Sequence, residues 1–207
     1  MARPLAVLVH GMCRSRLSMV LLAWALRRAG FDTALFGYRV SLEKFEPCRQ
    51  RLQRFIATRA AGRPYVLVGH SLGTVLLRVV LAQLPAPPAA FFLITPPTSA
   101  CYWARRLHRF APYRWITGEM GQLLASESFM RSVPLPQCPS WIYAGTGGPR
   151  GRFYPLGDEA NDYVLKLSET ALPGIATVPI PGGHTFLMNA RPLVEDLLAK
   201  AGALVQA

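Results

Sequence analysis

The sequence predicts an α/β fold: a doubly wound, mostly parallel six-stranded sheet with helices on both faces. Two observations predict it. Short apolar runs alternate with longer stretches of helical period along most of the 207 residues. Hydrophobic residues make up 51% of the chain and charged residues only 16%, which suits one domain with a sizeable core and excludes a disordered chain.

The elements follow in order. Leu5 to Val9 is an apolar run ending at His10-Gly11, the pattern of a buried parallel strand. Leu17 to Arg28 is amphipathic and is stopped by Gly30, a helix with its terminator. Phe31 to Tyr38 is a second strand. Leu42 to Ala61 sets Phe45, Leu52, Phe55 and Ile56 between arginines at helical spacing, and Gly62-Arg63-Pro64 ends it. Tyr65 to Val68 is a third strand, with a helix from Thr74 to Leu84. Ala90 to Ile94, Pro139 to Ala144 and Ala176 to Ile180 complete the six strands, and a last helix runs from about Pro192 to Ala203. Neither an internal repeat nor a linker divides the chain, so residues 1–207 are expected to form a single domain.

One segment breaks the alternation. Residues 96–138 interleave aromatic and basic side chains, as in "CYWARRLHRFAPYRWITG". A long insertion in a compact domain is usually functional or loosely ordered. Two readings fit it: a crossover helix with a solvated arginine face, or a partial lid touching substrate or a membrane surface.

The net charge is +12, and three lysines leave most of the basic count to arginine. Such a field draws anionic partners. The arginines are spread along the chain without a dense block, so charge alone assigns no partner, and no nucleic acid is expected. The four cysteines (Cys13, Cys48, Cys101, Cys138) form no C-x-x-C pair, which makes a zinc site improbable and free thiols in a reducing compartment the default. The Met-Ala-Arg-Pro start is not expected to be a cleavable leader, since it runs into the first strand. The longest candidate membrane segment, Val75 to Leu84, is too short to span and carries Arg78. A cytoplasmic protein is expected.

The chemistry concentrates at Gly69-His70-Ser71-Leu72-Gly73. G-x-S-x-G between a strand and a helix makes a tight, strained turn that exposes the serine oxygen at the carboxyl end of the sheet. The helix start behind it supplies free N–H groups and a positive dipole end. A serine hydroxyl is a weak nucleophile; it needs a base, and the base needs an acid to fix its tautomer. Of the four histidines, His184 in "VPIPGGHTFLMN" follows the last strand on a glycine-rich loop, at the same edge as Ser71, and is the candidate base. The acid should follow the preceding strand, where Asp158, Glu159, Asp162 and Glu169 stand. Asp162 is favoured because an apolar stretch follows that can bury it, and Asp158 is next; a helix or turn cap is the plainer role for Asp162. Backbone amides of Leu72 and of Met12, in the loop after the first strand, are the candidate donors to a developing oxyanion.

The order "LVHGM" at 8–12, "GHSLG" at 69–73, "NDYV" at 161–164 and "GGHTF" at 182–186 resembles the α/β-hydrolase superfamily, in its small lipase- and esterase-like branch with little or no cap. The likeness runs from Leu5 to about Leu198. It implies carboxylic-ester hydrolysis through an acyl-enzyme on Ser71, with His184 as base, Asp162 as its orienter, Met12 and Leu72 at the oxyanion, no cofactor and no metal. A small-molecule or lipid ester is the implied partner, with membrane-surface contact as an open addition. The same residues would serve an acyltransferase, thioesterase or peptidase. A basic binding protein on the same scaffold would instead gather Arg105, Arg106, Arg109 and Arg114 on one face. Small lipases often carry more glycine after the His-Gly of the oxyanion loop; here Met12-Cys13-Arg14 follows, and Arg14 is expected to be solvated rather than to bind an anion.

Overall fold

The computed structural model describes residues 2–206. Six strands form one sheet: β1 (Leu5–Val9), β2 (Asp32–Phe36), β3 (Tyr65–His70), β4 (Ala90–Ile94), β5 (Ser140–Gly145) and β6 (Ala176–Ile180), in the order β2-β1-β3-β4-β5-β6. Every neighbouring pair is parallel. Each connection therefore crosses over a face of the sheet, and helices cover both faces.

Side-chain alternation divides the core. Leu5, Val7 and Val9 of β1 face one layer with Leu67, Phe91, Leu93 and Ile142; Ala6 and Leu8 face the other with Val66, Val68, Phe92 and Ile94. The first layer is closed by α2 (Phe45–Ala60) and α3 (Leu72–Leu81), the second by α1 (Val20–Arg28) and α7 (Arg191–Gln206).

The element boundaries differ from the sequence-based ones for local reasons. The expected helix at Leu17 begins as a 3-10 turn over Arg16–Met19, with the Ser15 side chain accepting from the Leu17 N–H, and becomes α1 only at Val20. Helix α2 starts at Phe45 rather than Leu42. Its third residue is Pro47, whose missing N–H falls in the first turn, where no intrahelical bond is lost. Glu119 Oε2 accepts the Phe45 N–H at 2.9 Å and so caps this helix from the insertion. Helix α3 starts at Leu72, immediately behind the serine.

Residues 96–138 fold into three helices: α4 (Tyr102–Leu107), α5 (Ala111–Ala125) and α6 (Glu127–Ser132). Helix α5 is kinked at Gly118 (φ 55°, ψ −150°), where a β-carbon would stand 2.7 Å from the Val40 carbonyl oxygen. Ala100, Cys101, Ala104, Met120, Leu124 and Met130 join the α2/α3 layer of the core. Buried Arg78 of α3 holds the far end of the segment, donating to the Val133 and Pro134 carbonyls at 2.8 and 3.0 Å. No carboxylate pairs with this guanidinium among the described residues, and burial pushes its pKa down to about 10.

Candidate active site

The chain turns from β1 to β2 on one side and returns through β3 on the other, so the strand order reverses between β1 and β3. Crevices at such points are where open α/β sheets bind ligands. Ser71 ends β3 there, and His10-Gly11-Met12 leave β1 beside it.

Ser71 has φ 50° and ψ −123°, a conformation that L-residues rarely adopt. The flanking glycines make room for it. A β-carbon at Gly69 would stand 2.9 Å from the Thr74 backbone; at Gly73 it would stand 2.6 Å from the His10 carbonyl oxygen and closer still to that of Val9. The serine's backbone is also tied down: its N–H donates to the Ile94 carbonyl at 2.9 Å, and its carbonyl accepts from the Thr74 N–H at 2.9 Å and the Thr74 hydroxyl at 2.7 Å. Leu72 is the first residue of α3, and its N–H is one of the helix-start donors without an intrahelical partner.

The side chains meet in one line. Ser71 Oγ lies 2.9 Å from His184 Nε2, and His184 Nδ1 lies 2.7 Å from Asp162 Oδ2. A carboxylate only accepts, so Nδ1 carries the proton and Nε2 presents its lone pair to the hydroxyl. The other oxygen, Asp162 Oδ1, accepts from the Val164 N–H at 3.0 Å and the Leu165 N–H at 2.6 Å. Tyr163, at φ 78°, turns the chain so that these amides face back to the carboxylate. Asp162 is fully buried, and its carbonyl accepts the His184 N–H at 2.9 Å.

The other candidate carboxylates do different work. Asp158 is exposed. Glu159 Oε1 accepts the Ser168 N–H at 2.6 Å. Buried Glu169 accepts from the Lys166 N–H at 2.9 Å and the Tyr102 N–H at 2.6 Å, joining the acid loop to the start of α4. Thr98 adds two bonds to the Glu169 carbonyl, and Trp103 Nε1 donates to the Tyr163 carbonyl at 3.3 Å.

His70 stands inside the G-x-S-x-G turn and also bonds outside it. Its Nε2–H donates to the His184 carbonyl at 2.9 Å and so backs that residue from behind. Burial, reinforced by nearby His184 and Arg14, pushes its pKa down to about 3. Its Nδ1 is buried without a partner, packed against Gly11. His10 is also buried. It donates through Nδ1 to the Gly11 carbonyl, accepts the Tyr38 N–H at Nε2, and stacks on the Tyr38 ring at 4.3 Å. A histidine beside a glycine in the sequence gives no sign of either contact.

A cavity of about 250 Å³ opens over Ser71 and His184. Pro97, Cys101, Trp103, Ala104, Tyr113 and Leu124 of the insertion form one wall, Val164 and Leu165 another, and Met12, Cys13 and Arg14 a third. Arg14 departs from expectation: it is half-buried, with its guanidinium 5.2 Å from the centre of the Phe186 ring. Arg105, Arg106, Arg109 and Arg114 are exposed, and Arg105 is paired with Glu127 at 3.5 Å. Among the described residues no cluster of His, Cys, Asp and Glu could hold a metal ion, and no helix is long and apolar enough to cross a membrane.

Fold and site together define an α/β hydrolase. The sequence pattern of the alpha/beta hydrolase family matches residues 6–205, and the chain belongs to that family. No curated protein sequence matches it. Among solved structures it is similar to the Bacillus licheniformis lipase BlEst2 in mature form, at TM-score 0.68 and 17% identity over 95% of this chain and 92% of that one. It is also similar to the Paleococcus ferrophilus monoacylglycerol lipase, at 0.62 and 17% over 95% and 94%. A metagenomic carboxyl esterase, MGS0156, matches at 0.73 and 16% over 98% and 76%. At these identities the likeness is one of fold.

Proposed function

We propose that this hydrolase cleaves carboxylic esters through an acyl-enzyme on Ser71. The observation that carries the reading is the unbroken hydrogen-bonded line from Ser71 Oγ through His184 to buried Asp162, at the floor of a largely apolar cavity. In the first step the Ser71 oxygen attacks the ester carbonyl while His184 Nε2 takes its proton. Asp162 holds the Nδ1–H and stabilises the imidazolium that forms. The Leu72 and Met12 amides receive the oxyanion; a fixed donor of this kind is worth about 2.7–4 kcal/mol of barrier. The imidazolium then protonates the leaving alcohol. Water, deprotonated by the same imidazole, attacks the acyl-enzyme and frees the acid and Ser71.

The insertion serves this reading as a partial lid, since six of the cavity's lining residues come from it. Exposed Phe110, Trp115 and Ile116 interleave with Arg106, Arg109 and Arg114 on the same segment, which supports membrane-surface contact as a second role. The neighbours named as lipases and an esterase agree with ester hydrolysis.

The experiment is labelling with a fluorophosphonate probe alongside turnover of p-nitrophenyl butyrate. Wild type should take up the probe and turn over the ester. Ser71→Ala should lose both, with kcat down by on the order of 10⁴-fold or more, and keep its thermal unfolding midpoint. Undiminished turnover in the purified variant removes Ser71 as nucleophile.

A further inference from the structure

The geometry points to a substrate class for this site: an ester with a short apolar acyl chain whose alcohol portion carries a carboxylate or phosphate, received by Arg14. The inference rests on Ser71 as nucleophile and goes beyond it by naming both halves of the ester.

The cavity is chemically lopsided. Arg14 enters from the loop after β1, whereas the insertion follows β4, and in the sheet order these strands lie on opposite sides of β3, which carries Ser71. On the insertion side the lining is Pro97, Cys101, Ala104, Tyr113 and Leu124, with no ionised group. An acyl chain loses water there and gains roughly 0.8 kcal/mol per buried methylene. At about 250 Å³ the space falls below the roughly 300–1,000 Å³ of pockets that hold drug-sized ligands, so the chain it takes is short.

On the opposite side stands one cation without a counter-ion. Arg14 has no carboxylate within ion-pair distance among the described residues, and no Asp or Glu lines the cavity. Arg49, Arg51 and Arg63, in contrast, are each neutralised by an acidic neighbour. Arg14 is half-buried and stacked over Phe186, so its fork is held in place before a ligand arrives. Its charge is felt beside the site: after burial, which is the larger cause, it helps lower the pKa of both His70 and His10.

Direction decides which half of the ester meets it. The leaving alcohol takes its proton from His184 and therefore departs on the imidazole side. Phe186, two residues beyond His184, seats Arg14 on that same side. A carboxylate or phosphate on the alcohol would find there a planar donor set suited to two-point binding.

The test compares matched pairs by release of butyrate: 1-butyrylglycerol 3-phosphate against 1-butyrylglycerol, and O-butyrylglycolate against O-butyrylglycolamide. Wild type should show a kcat/KM about tenfold higher or more for the charged member of at least one pair, the value of one charge-assisted contact. That pair identifies the anion, and the preference should shrink with added salt. Arg14→Gln should bring the charged-to-neutral ratio to about one, and Arg14→Lys should restore part of it, which a purely structural role would not do. Equal rates within both pairs, or a ratio untouched by Arg14→Gln, overturn the inference while neutral-ester turnover leaves the hydrolase reading standing. Failure of wild type to release butyrate from any of the four, or from p-nitrophenyl butyrate, sinks both.

Discussion

The serine turn and the acid loop meet at one hydrogen-bonded line but are built by different physics. The serine turn spans five consecutive residues between β3 and α3. It is shaped by exclusion: Gly69 and Gly73 leave no space for a β-carbon, and a strand and a helix clamp the strained residue between them. The acid loop, residues 146–175 between β5 and β6, has one short 3-10 turn and little other regular structure. Side chains hold it: Asn161 donates to the Pro149 and Glu159 carbonyls and accepts the Tyr163 N–H, Glu159 caps Ser168, and Glu169 satisfies Lys166 and Tyr102. A nucleophile needs one rigid backbone conformation, which sterics supply. A buried carboxylate needs its oxygens matched to donors, which hydrogen bonds supply.

The largest effect that would break this comparison is in the acid loop. Asp162→Asn should keep the loop's shape, because its amide oxygen still accepts from Val164 and Leu165. It then turns an N–H toward His184 Nδ1 and enforces the wrong tautomer. In a working Ser-His-Asp triad that exchange costs on the order of 10⁴ in kcat. Glu169→Gln should cost far less, and the reverse ranking in a kcat comparison would reassign the acid.

Next comes the serine turn. Gly73→Ala drives a methyl group into the Val9 and His10 carbonyls, which are backbone and cannot swing away. Stability should fall by about 1–3 kcal/mol, read as a lowered Tm, with activity falling alongside it. An unchanged Tm would show that the turn is looser than its contacts imply.

Last comes a change of slope at His70, which lies in the serine turn and donates to the His184 carbonyl. Its folded pKa of about 3 lies well below the roughly 6.5 of an unfolded histidine. Between these values the unfolded chain holds the extra proton, so His70 favours folding fully above about pH 6.5 and loses that contribution as pH falls toward 3. One histidine contributes at most about 1.4 kcal/mol per pH unit. Urea midpoints measured from pH 7 to 4 should fall less steeply in His70→Asn than in wild type; identical slopes would locate the titration elsewhere.

The same contrast explains what the sequence discloses. The inner strands can be read from apolar runs, because strands buried on both faces write themselves as continuous hydrophobic stretches, whereas the edge strands β2 and β6 are only partly buried and are placed by their order in the alternation. Ser71 and its glycines are legible because the steric demand falls on neighbouring residues. His184 follows from its place after the last strand. Asp162 could be favoured only among four carboxylates, since the amides that settle its environment belong to a loop with no period. The three helices of residues 96–138 and the kink at Gly118 were hidden for the same reason: the carbonyl that excludes a side chain there belongs to Val40, far away in the chain. Arg14 looked solvated because its stacking partner, Phe186, lies near the other end of the sequence.

The bonds from Thr98, Tyr102 and Trp103 to Glu169 and Tyr163 make the roof of the cavity and the footing of Asp162 a single trussed unit. Enlarging the cavity by substitutions around α4 would also jog the carboxylate hydrogen-bonded to His184 Nδ1. Evolution or a protein engineer seeking bulkier substrates would find the easier route at Cys13, opposite the insertion, or at Leu124 on α5, neither of which takes part in that truss.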